Sequence, residues 1–166
     1  YGLDHAFTFI SGAVYWLDSW NIAAGIDIVI PSDVIIKLSS SVTMVFNSNL
    51  TTLGTSEAPV VFTSYKDDSY GGDTNGDGSA STPAASDYHY IGLNNSTAVL
   101  NHTIVRYGGI YAPTSSYYKG NLQVTGTTNL TLNDSTVDHA YYGIRMESGV
   151  QSLTLNNSTV SNCTSY

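Results

Sequence analysis

The residues best suited to chemistry lie in one short stretch, Asp73-Thr74-Asn75-Gly76-Asp77-Gly78. Oxygen-bearing side chains at alternate positions, followed by glycine, reproduce the opening of an EF-hand Ca²⁺ loop. The alternation aims three oxygens at one hard cation, and the glycine permits a sharp turn. An EF-hand closes with a bidentate Glu at its twelfth position, but that position here is Ala84. Another carboxylate has to complete the shell, either Asp87 downstream or Asp67 and Asp68 upstream. Asp73, Asn75, Asp77 and Asp87 are therefore the candidate metal ligands, and structural Ca²⁺ is the expected cofactor. The competing reading is an acidic loop that is simply solvated. The surrounding KDDSYGGDTNGDGSASTPAASD has no apolar anchor, and a polar excursion of that length needs something to order it.

A second set of candidates is covalent. Asn49, Asn94, Asn95, Asn101, Asn129, Asn133, Asn156, Asn157 and Asn162 each satisfy Asn-x-Ser/Thr, the acceptor pattern for N-linked glycans. A chain rich in Asn, Ser and Thr also produces such triplets by chance. Asparagines stacked in successive turns of a coil would instead form a hydrogen-bonded ladder.

Catalytic patterns are sparse, so no enzymatic activity is expected. A polysaccharide lyase needs a basic residue over a metal-bound uronate. The only candidates, Lys37, Lys66, Arg106, Lys119 and Arg145, show no cluster in sequence. A glycoside hydrolase needs two facing carboxylates. Asp134 and Asp138, the latter beside His139, read more simply as solvated turn residues. His5, His89 and His102 lack metal-ligand spacing. Cys163 falls where the preceding repeat has Ala140 and reads as a small core residue. Tyr65, Tyr70, Tyr88, Tyr90, Tyr117 and Tyr118 flank the insertions, where they would stack on sugars or pack loops onto the body.

The elements that must position these residues follow from composition and repeats. Charged residues make up 11% of the 166, and the polar surface is Ser, Thr, Asn, Gly and Tyr, which suits strands and turns. The net charge of −8 argues against nucleic acid and favours cations. One cysteine excludes an internal disulfide, and no apolar run reaches membrane-spanning length. The composition leans extracellular. The chain starts at Tyr1, without an initiator Met or a signal peptide, as though processed or excised.

Leu100-Asn-His-Thr-Ile-Val105, Leu132-Asn-Asp-Ser-Thr-Val137 and Leu155-Asn-Asn-Ser-Thr-Val160 are near-copies. The second and third lie 23 residues apart. The first and second lie 32 apart, with a turn-rich insertion at 111–120 between them. A period near 23 with short apolar alternations predicts a parallel β-helix, a solenoid in which strands of successive coils stack. An antiparallel sandwich gives no reason for such a period. In the last copy Leu153, Leu155 and Val160 are expected to face inward, with Asn and Gly at the corners between strands. Residues 1–166 form one domain, with an irregular or helical cap or coil-joining segment at 1–22 and the acidic insertion at 64–88.

AGIDIVIPSDVIIKL, LTTLGTSEAPVVFTS, GGDTNGDG and IVRYGG together resemble the right-handed parallel β-helix repeat proteins secreted by bacteria and archaea. Ser86-Asp87-Tyr88 departs from the Gly-Asp-Trp common in that family. The resemblance implies an all-β, right-handed solenoid at the cell surface and leaves the activity open.

The chain ends in mid-coil at SNCTSY and begins YGLDHAF, so joining end to start restores the Tyr-Tyr-Gly-aliphatic seen at Tyr141–Ile144. The expected function is therefore structural: an extracellular subunit of a surface filament, sheath or layer. Its partners would be copies of itself stacked head to tail, with N-linked glycans or surface polysaccharide on the flanks. The alternative is a carbohydrate-binding or polysaccharide-cleaving module of a surface enzyme.

Overall fold

The computed structural model describes residues 2–3, 7–18, 20–112 and 117–164. In these, the chain opens with β1 (Gly2–Leu3) and β2 (Val14–Leu17), and then makes five rounds of three strands. The rounds are β3 (Trp20–Ile22), β4 (Ile28–Pro31) and β5 (Ile35–Leu38); then β6 (Thr43–Phe46), β7 (Leu50–Leu53) and β8 (Val60–Ser64). Next come β9 (Tyr90–Asn94), β10 (Thr97–Asn101) and β11 (Thr103–Arg106). After a short β12 (Ile110–Ala112) come β13 (Tyr117–Thr125), β14 (Asn129–Asn133) and β15 (Thr136–Asp138). The last round is β16 (Tyr142–Met146), β17 (Ser152–Asn156) and β18 (Thr159–Ser161).

Each round enters the same three sheets in the same order. The first sheet stacks β1, β3, β6, β9, β13 and β16; the second β4, β7, β10, β14 and β17; the third β2, β5, β8, β11, β15 and β18. Every pairing within these stacks is parallel. Among the described residues the one antiparallel pair joins β12 to the start of β13, in the region of the second predicted insertion. The protein is therefore all-β with three parallel sheets, an arrangement consistent with a parallel β-helix and opposite to an antiparallel sandwich. No helix occurs among the described residues. Of the segment expected to form a cap, 2–3 form β1 and 14–22 carry β2 and β3, and Phe7, Phe9, Tyr15 and Trp20 pack edge to face at that end.

The repeated words fall in register, with Leu100, Leu132 and Leu155 in one row and Val105, Val137 and Val160 in another. Alternation sends these side chains into the space between the sheets, where Leu100, Leu132, Val105 and Val137 are buried. Burying each such side chain contributes about 1.5–3 kcal/mol. In the last round the expectation holds only partly. Leu153 and Val160 pack against the core, but Leu155 is exposed, because no described strand stacks beyond β17. The corners are in the left-handed region, as predicted, but are not reserved for Asn and Gly. One column holds His102, Asp134 and Asn157, and the next holds Tyr107, His139 and Asn162.

The segment between β8 and β9 folds back over the outer face of the third sheet. Lys37 of β5 points outward yet is fully buried beneath it, its ammonium donating to the Gly72 carbonyl. Thr63 donates to Asp67 Oδ2 at 2.6 Å, and the Trp16 and Tyr65 rings stack in parallel.

Candidate metal centre and lateral cleft

The acidic loop is built by Asp73. Its Oδ1 accepts from the Gly76 and Asp77 amides at 2.7 and 3.2 Å, and its Oδ2 from the Gly78 amide at 2.8 Å. Gly76 and Gly78 take φ of +72° and +70°, which side chains on L-residues disfavour, and this explains the glycines of the motif. Asn75 braces the turn. Its Nδ2 donates to Asp77 Oδ2 at 2.9 Å, and Ser81 Oγ donates to the same oxygen at 2.5 Å. These bonds hold the Asp77 carboxyl below the usual range, the one from Ser81 most strongly.

Oxygens of Asp68, Asp73 and Asp77 lie within 4.8 Å of one another. Asp68 Oδ1 is shielded from solvent and has no hydrogen-bond partner among the described residues. An orphaned carboxylate oxygen beside two further carboxylates matches the hard oxygen donor set that Ca²⁺ takes. Of the four candidate ligands, then, Asp73 and Asp77 come together, Asn75 supports them, and Asp87 stands apart. Asp87 Oδ1 pairs with Lys66 Nζ at 2.8 Å, and its Oδ2 accepts from Ser64 Oγ and the Ala84 amide. That bond pushes the Lys66 ammonium upward. Asp68, from the upstream pair, takes the place by the cluster. Lys37 lies near enough for Asp68, Asp67 and Asp73 to favour its charged form, although burial outweighs them and lowers its pKa.

The sequon asparagines are mostly engaged. Asn156 Nδ2 donates to Asn133 Oδ1 at 2.8 Å, Asn133 Nδ2 to Asn101 Oδ1 at 2.8 Å, and Asn101 Nδ2 to the Thr52 carbonyl at 2.7 Å. A second run joins Asn95 to Asn94 and Asn94 to Asn47. Asn49 donates to Asp27, and Asn157 to Asp134. The side-chain amides of Asn129 and Asn162, both exposed, donate to no group among the described residues.

Of the two carboxylates expected to be solvated turn residues, Asp134 is an exposed corner residue and Asp138 is paired. Asp138 is buried, bound by Arg106 Nε at 3.2 Å and by His139 Nδ1 at 3.0 Å. Asp134 lies 4.0 Å from His102 Nε2. Cys163 is buried at the level of Ala140, and burial pushes its thiol upward. Tyr88 is fully buried and donates to Asn121 Oδ1 at 2.5 Å. The side chains of Tyr117 and Tyr118, and residues 165–166, 1 and 4–6 of the predicted end junction, His5 among them, lie outside the described residues.

The cation cluster missing from the sequence is present in space. Lys119 Nζ, Gln123 Nε2 and Arg145 each donate to Glu147 Oε1, at 3.0, 3.0 and 3.2 Å. Lys119, Gln123 and Glu147 border a cleft of about 240 Å³ on the outer face of the first sheet, together with Tyr90 and Gly92. The sequence hid this group because its members lie up to 28 residues apart, one coil from each other. No family model, curated protein or solved structure matches the chain.

Proposed function

We propose that this protein is a structural unit of an extracellular filament, sheath or layer: a right-handed parallel β-helix that lengthens by head-to-tail stacking of coils from successive copies. The observation that carries the reading is the exposure of Leu155, in line with two leucines that are fully covered wherever another coil lies on top, so that a further coil, whichever chain supplies it, would cover this one too. At the same end β16, β17 and β18 each pair with a strand on one side only among the described residues, which leaves an edge that a further coil would cover together with the half-buried Leu153 and Val160. At the opposite end β2 offers an edge with Trp16 and Val14 exposed. Low charge and a Ser/Thr/Asn surface support the extracellular placement.

In this reading Asp68, Asp73 and Asp77 hold a Ca²⁺ that neutralises the cluster and fixes the loop against the third sheet. Glycans, where attached, sit on Asn129 and Asn162. The ladder asparagines serve stacking instead. Sedimentation velocity of the wild type and of Leu155→Asp tests the assembly. The wild type is expected to form species that grow with concentration, and the variant to stay monomeric. A wild type that remains monomeric throughout would refute the proposal.

A further inference from the structure

We propose that the outer face of the second sheet is a lateral interface, through which stacked copies of this chain join side by side with the same face of a second stack. The inference rests on head-to-tail stacking and extends it from single filaments to paired ones.

The face stands apart in its charge. The strands of the second sheet read IVIP, LTTL, TAVLN, NLTLN and SLTLN, with no charged residue among them. The strands of the first sheet carry Lys119 and Arg145, and those of the third carry Lys37, Arg106 and Asp138. In a protein of net charge −8, copies repel one another through most of their surface. The second sheet is where two copies can approach without that cost. Asp27 and Asp134 stand at its borders, the first held by Ser48 and Asn49 and the second beside His102.

Register makes the face regular. Val29, Thr51, Val99, Thr131 and Thr154 form one outward row across all five strands. All are β-branched, so their side chains are stiff and lose little freedom on contact. The Asn101–Asn133–Asn156 ladder runs beside this row, its amides bonded along the stack. Val29 is 53% exposed and Leu53 50%. Among the described residues no segment crosses the face: 64–88 folds over the third sheet, and β12 pairs within the first.

Area decides when the face is used. Five strands about 4.8 Å apart, each of about five residues at about 3.3 Å, give roughly 400 Å² per copy. Two single copies would bury roughly 800 Å², less than the roughly 1,200 Å² of a stable interface. Single chains should therefore stay apart. In a stack the face recurs on every copy, and each contact holds the next in place, so the areas add. Sheets packed face to face at about 10 Å bring the Thr and Val rows together. A glycan on Asn129, exposed at the start of β14, would hold a second stack off, so the test uses protein made without N-glycosylation.

The test is negative-stain electron microscopy of the full chain. Wild-type fibres should lie in side-by-side pairs. Val99→Glu with Thr131→Glu sets two carboxylates in the middle of the row and should release single fibres of unchanged axial rise. If the double variant fails to fold, Thr131→Glu alone reads the same loss. Thr43→Glu adds a charge on the outward side of the first sheet and should leave the pairs intact. Wild-type fibres that run singly, pairs that survive the second-sheet variants, or pairs lost equally with Thr43→Glu would overturn this inference and leave stacking standing. A wild type that forms no fibres would overturn both.

Discussion

Leu155 lies in register with Leu132 on the adjacent strand, yet Leu132 is 0% exposed and Leu155 44%. The same residue type, at the same point of the repeat, differs only in whether another coil covers it. Leu132→Ala should therefore destabilise the protein by about 2–5 kcal/mol through lost burial and a cavity. Leu155→Ala should cost about 1 kcal/mol or less in the isolated chain. Chemical denaturation of the two variants under dissociating conditions gives the comparison. Equal losses would mean that Leu155 is already covered.

Asn133 stands in the middle of the ladder, donating to Asn101 and accepting from Asn156. Asn133→Asp removes the donor and sets a carboxylate against the Asn101 oxygen. At neutral pH the loss should be about 1–3 kcal/mol, the cost of an unmade bond plus an unpaired acceptor. The new carboxyl regains a donor when protonated, so its pKa is raised in the fold. Stability is then present at low pH and lost as pH rises through that value. Thermal melts across pH should show the deficit shrinking on acidification.

Ca²⁺ should raise the melting temperature, and EGTA should reverse the effect. At a hundredfold excess over Kd the gain is about 2.7 kcal/mol. Asp68→Asn or Asp73→Asn should abolish the Ca²⁺ response, whereas Asp87→Asn should keep it, since Asp87 is tied to Lys66 instead. A response that survives Asp73→Asn would place the ion elsewhere.

Glu147 is held below the ordinary glutamate range, first by the hydrogen bond from Lys119. A depressed carboxyl contributes stability above its unfolded value, and that contribution is lost as pH falls through the folded one. Glu147→Gln should therefore flatten the fall in melting temperature through about pH 3–5. With the side chain 37% exposed, the effect should also shrink in high salt.

The repeat was legible because it is local: six letters recur, and each copy makes the same strand, corner and strand. The acidic motif was legible for the same reason, its Asp73 bonds all closing within five residues. What escaped the sequence depends on contacts between coils or beneath the loop. Lys37 alternates to the outer side of β5, and the loop that covers it arrives 35 residues later, so its burial has no local signal. Asp138 reads as a turn carboxylate, while its Arg106 partner lies one coil back, beyond an insertion that breaks the period. The meeting of Lys119 and Arg145 on Glu147 has the same cause. The exposure of Leu155 was missed because a repeat pattern assigns every copy the same environment.

The most direct test of coil-on-coil assembly is the axial rise measured by electron microscopy of the purified protein. The first sheet stacks six strands, so head-to-tail copies should advance by roughly 29 Å per chain, at about 4.8 Å per coil. Fibres with that rise are the predicted result. Monodisperse particles, or fibres whose rise does not match whole coils, would contradict it.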